Sequence, residues 1–328
     1  MPGGGQPWVE KYRPRKIAEV AFQEDVVNTL KAALETANLP HLLFYGPPGT
    51  GKTSTALAIA HQLFGPELFK SRVMELNASD ERGIGVVRNK IKGFAAQAVG
   101  PAAPGYPCPP FKLLILDEAD SMTPDAQNAL RRTMETYSRV TRFCFCCNYV
   151  SRIIEPLASR CAKFRFKPFG EAVMSERILH ICGSEGVSLE EGAMACLGKV
   201  SGGDLRKAIT TLQSAVRLGG KDVKTQTIID VAAVVPSDRI DQLIAACRSG
   251  SFRECQDQIN GLMAEGWPAQ QILLQVQEAV LAAEAIPDAK QGKVFELLAA
   301  ADKQLVDGAD ESLQLLNVAS GIQRVLSG

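Results

Sequence analysis

The apolar residues of this chain follow two spacing patterns, and the change between them falls near residue 168. Before that point, short apolar runs alternate with segments in which apolar residues recur every three or four positions. The runs predict strands at residues 42–45, 73–76, 113–116 and 143–147. The intervening segments predict helices, among them residues 23–36 and 54–63. Strands that alternate with helices predict a parallel sheet covered on both faces.

The first pattern ends in a segment of strict apolar and polar alternation. Residues 163–167 predict a strand that closes the sheet, and Pro168 stops it. Residues 100–110, which are rich in Pro and Gly, are predicted to form a surface loop.

After residue 168 the spacing is helical, and we expect helices only. Predicted helices at residues 171–182, 190–200 and 205–216 form a small domain. A further helical block runs to residue 328, with breaks at Pro236, Gly250, residues 266–268, Pro287 and Gly308. The predicted organisation is an α/β domain at residues 1–168, a small helical domain at 169–230 and an all-helical domain at 231–328.

Composition and charge narrow the class of protein. Apolar residues make up 46% and charged residues 22% of the 328 positions, which suits a globular chain with more than one core. The 36 basic residues balance the 36 acidic ones, so contact with nucleic acid requires a local basic patch. The sequence shows no apolar run long enough for a membrane span or a secretory signal. We expect a soluble intracellular protein with no membrane partner.

The nine cysteines lie mostly in apolar runs, which predicts buried thiols in a reducing compartment. Cys144, Cys146 and Cys147 come closest to a metal-ligand cluster. They lack a Cys-x-x-Cys pair and a nearby His, so zinc is not expected there.

Residues 46–53 match the phosphate-binding pattern G-x-x-x-x-G-K-[ST] between a predicted strand and a predicted helix. In such a loop, backbone N–H groups and the positive end of the helix dipole face the phosphates. We expect ATP with Mg²⁺: Lys52 neutralises the β and γ phosphates, and the Thr53 hydroxyl binds the metal. The alternative is a chance Gly-rich turn. The predicted nucleotide contacts here are Gly46, Pro47, Pro48, Gly49, Thr50, Gly51, Lys52, Thr53 and Ser54.

Two adjacent carboxylates follow the predicted strand at residues 113–116. Asp117 is predicted to hold the metal and Glu118 to polarise the attacking water. Acidic residues after a strand also cap helices, and without the phosphate loop that interpretation would be favoured.

Several motifs occur in the order found in one protein family. They lie at residues 8–14, 46–53, 76–83, 116–122, 147–148, 159–161 and 203–206. With these motifs the whole chain resembles the small subunits of the clamp loader replication factor C, which are AAA+ ATPases. The resemblance implies an AAA+ P-loop domain with a parallel sheet, a helical lid domain and an all-α collar domain.

The resemblance also implies roles for three further residues. Asn148 matches the first sensor of the γ-phosphate, although a turn residue is the alternative. Arg206 matches the second sensor, which reaches the phosphates from the lid. Arg160 matches the arginine finger that a subunit presents to its neighbour's nucleotide, and a surface salt bridge is the alternative.

The N-terminal segment is implied to fold over the adenine through Val9, Tyr12, Arg13 and Val20. Apolar and aromatic side chains suit a purine face, but an N-terminal arm packed on the domain needs the same residue types.

The implied partners are the other replication factor C subunits in a heteropentamer, the sliding clamp and primer–template DNA, in the nucleus. Candidate contacts to the DNA backbone are Arg82, Arg88, Lys92 and Arg152, of which Arg88 and Lys92 are four apart on one helical face. Basic residues on a helix are more often simply solvated. The apolar faces of the third domain suit either a collar between subunits or a private core.

Two other classes of function fit part of the sequence. Residues 117–120, Asp-Glu-Ala-Asp, match a helicase motif, but no second set of alternating strands follows residue 168. The second class is a scaffold that binds ATP without hydrolysing it. The intact Lys52, Glu118 and Arg160 argue against a scaffold.

Overall fold

The computed structural model of the chain describes residues 6–14, 16, 19, 39–79, 84–102, 104–283 and 286–327. The contacts divide it into two compact units, Met1–Ile228 and Ile229–Gly328. The predicted helix at residues 23–36 lies outside the described residues. A short helix, α1 (Trp8–Lys11), begins the first unit.

Five described strands form one parallel sheet, as predicted. They are β1 (His41–Tyr45), β2 (Val73–Asn77), β3 (Lys112–Asp117), β4 (Thr141–Cys147) and β5 (Cys161–Arg165). The strand order across the sheet is β2-β3-β4-β1-β5. The predicted closing strand therefore exists next to β1, but it begins and ends two residues earlier than expected. Phe166 follows it with a fully buried side chain, and its N–H donates to the Tyr45 carbonyl over 2.8 Å.

Helices cover the sheet between the strands. They are α2 (Lys52–Arg72), α3 (Ile84–Ala96), α4 (Pro124–Tyr137) and α5 (Glu155–Ala158), with 3₁₀ turns at Ala119–Ser121 and Val150–Arg152. Helix α2 extends well beyond the predicted residues 54–63. Gly65, at φ 65°, and Pro66 interrupt it with a kink, because proline cannot donate the helical hydrogen bond.

The alternation of side chains along each strand divides the core between the two faces of the sheet. Leu42, Phe44 and Cys146 pack on one face, and Leu43 and Phe145 pack on the other. The cysteines are free thiols, and all except Cys161 and Cys196 are buried. Burial on both faces explains why these strands have nearly continuous apolar sequences.

The second part of the first unit contains α6 (Glu171–Glu185), α7 (Ala193–Ser201) and α8 (Leu205–Gly219), and the next helix, α9 (Thr225–Ala232), includes the division between the two units. The expectation of helices only is wrong here, because β6 (Ser188–Leu189) and β7 (Asp222–Val223) pair in parallel. Two residues are too few to show strand alternation in a sequence.

The C-terminal unit is helical. Its helices after α9 are α10 (Ser237–Ser249), α11 (Phe252–Ala264), α12 (Ala269–Ala282), α13 (Asp288–Val306) and α14 (Glu311–Ser327). Every predicted break falls at a helix boundary or between two helices. The helices bury a core of their own, which includes Ile259, Leu262, Ile272, Val276 and Val318.

Candidate nucleotide-binding site

Three functional segments converge because their strands are parallel neighbours. The loop at residues 46–51 follows β1, Asp117 ends β3, and Asn148 follows β4. The strand order β3-β4-β1 places the carboxyl ends of these strands side by side at one edge of the sheet. Ligands of open α/β sheets bind at that edge.

The loop backbone has the form of a cradle. Gly46 has φ +149° and Gly49 has φ +69°, both in the region that favours glycine. Space requires glycine as well, because an added Cβ would lie 2.2 Å from the Phe166 carbonyl oxygen at Gly46 and 1.7 Å from Asp204 Oδ1 at Gly49. The Thr50 hydroxyl donates to the Pro47 carbonyl over 2.8 Å and braces the turn.

Lys52 begins α2 directly after this loop and is only 8% exposed. Its ammonium donates to the carbonyls of Gly46 and Pro47 over 2.8 and 2.7 Å, and to Asn148 Oδ1 over 2.9 Å. Burial lowers the pKa of Lys52, and the nearby Asp117 carboxylate opposes that effect. The Lys52 ammonium and the Asn148 amide are therefore in direct contact.

Oxygen ligands suited to a magnesium ion stand next to the ammonium. The Thr53 hydroxyl donates to Asp117 Oδ2 over 2.7 Å, so the two predicted metal-binding side chains are in contact. Asp117 Oδ1 accepts from the Glu118 N–H over 2.9 Å. Hydroxyl and carboxylate oxygens are what Mg²⁺ prefers, and backbone N–H groups beside a buried ammonium suit phosphates. The residues therefore fit both ATP and Mg²⁺.

Glu118 has an uncommon backbone conformation and an exposed side chain. Its φ of 51° and ψ of 39° are left-handed, a conformation that costs a non-glycine residue about 1–3 kcal/mol. Strain of this kind is often retained where it aims a functional side chain.

Asp120 contacts the segment that follows β4, a contact that the sequence did not predict. Its Oδ2 accepts from the N–H groups of Asn148 and Tyr149 over 3.1 and 3.0 Å, which ties the end of β4 to the end of β3. The feature of the sequence that could have identified Asp120 is its place three residues after Asp117, the last residue of β3.

An open cleft surrounds these groups. Arg206 and Ile209 of α8 line it, and so do Phe169 and Arg177, so the small helical part of this unit forms one wall. The Asp204 side chain caps α8 by accepting from the Lys207 N–H over 2.9 Å. Arg206 was predicted from its motif, whereas Phe169, Arg177 and Ile209 were missed because nothing in their local sequence marks a cleft.

The N-terminal segment lines the same cleft through Val9, Tyr12 and Arg13. The hydroxyl of Tyr12 and the ammonium of Lys11 both donate to Glu185 Oε1 over 2.7 Å. Val20 lies outside the described residues.

The N-terminal segment is also held by its backbone. The Trp8 N–H donates to Gln213 Oε1 over 3.1 Å, and the Arg177 guanidinium donates to the Tyr12 carbonyl over 2.5 Å. The segment thus rests on α6 and α8.

Arg160 does not join these residues. It precedes β5, whose first residue, Cys161, pairs with His41 at the start of β1. The phosphate loop follows the other end of β1, about 16 Å away at the usual rise per residue. The Arg160 side chain is 41% exposed and contacts Glu135 over 2.7 Å.

The candidate DNA contacts are only partly described. Arg82 and the side chain of Arg88 lie outside the described residues, and Lys92 is exposed on α3. Arg152 is exposed too, and its guanidinium lies 5.1 Å from the centre of the Tyr149 ring. Within the described ranges, none of the helices has the length and apolar character of a membrane span.

Known families match three consecutive regions. Residues 42–169 match the ATPase family associated with various cellular activities (AAA), residues 176–217 match the RCF1/5-like AAA+ ATPase lid domain, and residues 235–320 match the replication factor C C-terminal domain. Replication factor C subunit 2 of Oryza sativa subsp. japonica is 62% identical over 98% of this chain and 95% of its own length. The chain belongs to the replication factor C family.

A second relative agrees with this assignment, and a solved structure shares the fold. Replication factor C subunit 4 of Homo sapiens is 57% identical over 98% of this chain and 89% of its own length. The RuvB Holliday junction branch migration motor of Thermotoga maritima shares the fold, with a TM-score of 0.54 over 81% of this chain and 91% of that one, at 18% identity. The chain is an AAA+ ATPase, and the function of the replication factor C family is clamp loading in DNA replication.

Proposed function

We propose that this chain is one ATPase subunit of a heteropentameric clamp loader, which opens a sliding clamp and places it on primer–template DNA in the nucleus during replication and repair. The observation that carries the proposal is the group formed by Lys52, Thr53, Asp117 and Asn148 at one sheet edge. The matches to replication factor C along nearly the whole chain support the assembly.

The nucleotide site is assigned from its donors and acceptors. The loop N–H groups and Lys52 hold the phosphates of ATP, while Thr53 and Asp117 hold Mg²⁺. Bound there, the metal neutralises charge on the phosphates. The exposed Glu118 carboxylate polarises a water, and Asn148 orients it or contacts the γ-phosphate.

The lid wall of the cleft connects nucleotide state to protein conformation. Arg206 lines the cleft from the first turn of α8, so a phosphate between it and Lys52 draws the two walls together. We propose that the chain divides at residues 168 and 230 into a nucleotide-binding domain, a lid and a collar. These three domains are the parts that move and assemble.

Arg160 is proposed to act on a neighbouring subunit. It lies at the sheet edge opposite to its own phosphate loop, too far to contact its own nucleotide, and it is exposed. An arginine finger stabilises charge on the transferring phosphoryl group and raises turnover about a thousandfold or more. The active site is then complete only in the assembly.

We propose that the chain binds the phosphates of DNA through its positive charges and does not recognise the bases. Arg82, Arg88, Lys92 and Arg152 are the candidate cations, and contacts to phosphates alone suit a loader that acts on any sequence.

The test is turnover of the chain assembled with its partner subunits. We expect ATP hydrolysis to be stimulated by clamp and primed DNA together, and Arg160→Ala to reduce it roughly a thousandfold at the neighbour's site. Hydrolysis that needs DNA but not clamp would instead indicate a helicase. Absence of turnover with intact ATP binding would indicate a scaffold.

A further inference from the structure

The Arg160 guanidinium contacts two polar groups that belong to different helices. Its Nη2 lies 2.7 Å from Glu135 Oε1, near the end of α4. Its Nη1 donates to the Pro156 carbonyl of α5 over 2.5 Å. A planar guanidinium with two fixed contacts has a defined orientation.

These two contacts leave the rest of the guanidinium available to a ligand. Arginine carries five N–H donors, and these two contacts use two of them. The side chain keeps 41% of its exposure. Three donors therefore remain for phosphoryl oxygens.

A contribution to folding stability does not explain the ion pair between Arg160 and Glu135. Glu135 is itself 44% exposed, and ion pairs between exposed side chains contribute little to folding. The other cation near this carboxylate, Arg131, lies at 3.9 Å and is one helical turn away on the same helix. The shorter contact is the one to Arg160, which is 25 residues distant in sequence.

We propose that Glu135 is a positioning residue for ATP hydrolysis in the adjacent subunit: it holds Arg160 in the orientation in which the guanidinium meets the neighbour's phosphates. This inference rests on the proposed function, because it requires Arg160 to act in trans. The physical basis is preorganisation. A long side chain that is already ordered loses less rotamer freedom when it enters the neighbouring site.

The experiment measures ATP turnover in the complete assembly, with clamp and primed DNA, for Glu135→Gln. We expect kcat at the neighbour's site to fall roughly three- to tenfold, as for one side chain whose ordering is lost, with KM unchanged. Glu155→Gln is the matched control, since it removes one acidic charge from a nearby exposed residue that pairs with Lys163 at 3.8 Å. We expect the control to turn over like the unaltered protein.

A double-variant cycle separates positioning from general structural damage. In an Arg160→Ala background, Glu135→Gln should cause no further loss, because its effect passes through the guanidinium. If Glu135→Gln impairs folding, Glu135→Asp keeps the charge but shortens the reach, and reduced turnover at an unchanged melting temperature is then expected.

Two results overturn the inference. One is normal turnover of Glu135→Gln in an assembly that Arg160→Ala does impair. The other is an equal loss from Glu135→Gln with and without Arg160. If Arg160→Ala itself leaves turnover unchanged, the proposed action in trans fails instead, so the two failures are distinguishable.

Discussion

At the scale of single residues, the site is ordered by contacts within the protein. Lys52 is fixed by two loop carbonyls and Asn148, and Thr53 is fixed by Asp117. Gly49 shows how little room the loop has, because the carboxylate of Asp204 occupies the space that a Cβ would need. Such preorganisation reduces the entropy lost when a ligand binds.

Substitution of Gly49 tests this packing. Gly49→Ala should lower the free energy of unfolding by about 1–3 kcal/mol, because φ is +69° and the added methyl group overlaps Asp204. Chemical denaturation measures it. Gly93→Ala is the control: Gly93 is helical and has no atom within 4 Å of the added methyl group, so this change should stabilise the chain by roughly 0.5–1 kcal/mol. Equal stability of Gly49→Ala and the unaltered chain would contradict the close approach.

At the scale of elements, the sequence predicted what depends on local pattern. Strands β1, β3 and β4 were found because strands buried on both faces are almost continuously apolar. Strand β2 is only partly buried, and it was found from the three apolar residues among residues 73–76. The phosphate loop and Asp117 were singled out because each lies at the end of a predicted strand, whereas the role of Asn148 was implied by the resemblance to replication factor C. The bonds from Asp120 to the end of β4, the two-residue strands β6 and β7, and the cleft wall at Phe169 depend on contacts between distant segments, so no local pattern marks them.

The anchor of the N-terminal segment on α6 should depend on pH. Hydrogen bonds from Lys11 and then Tyr12 lower the pKa of Glu185 below its ordinary value of 4.5. Because the folded pKa is the lower one, the carboxylate contributes stability above pH 4.5, and this is lost as pH falls through the folded pKa. Glu185→Gln should therefore be less stable at pH 7, by up to about 1 kcal/mol, and the difference should vanish in acid.

Denaturant unfolding from pH 7 to pH 3 measures that difference. Glu176→Gln, at an exposed position on the same helix, serves as the control for the loss of one carboxylate. A Glu185→Gln deficit that persists unchanged at pH 3 would show that the ionised carboxylate does not hold the segment.

At the scale of the whole molecule, each of the two compact units has its own apolar core. We expect residues 229–328 expressed alone to fold into a helical unit with a cooperative thermal transition, because their core is formed by α10 to α14. Circular dichroism at increasing temperature tests this. Gradual loss of helicity without a transition would mean that the unit depends on the rest of the chain.

The central claim is that the cleft around Lys52 binds ATP, and calorimetric titration of ATP with Mg²⁺ into the isolated chain tests it most directly. We predict one site, weakened roughly thirtyfold or more by Lys52→Ala, which leaves the phosphates without their buried cation. Arg160→Ala, altered at the opposite edge of the sheet, should bind ATP as the unaltered chain does. Unchanged affinity of Lys52→Ala would contradict the assignment of the site.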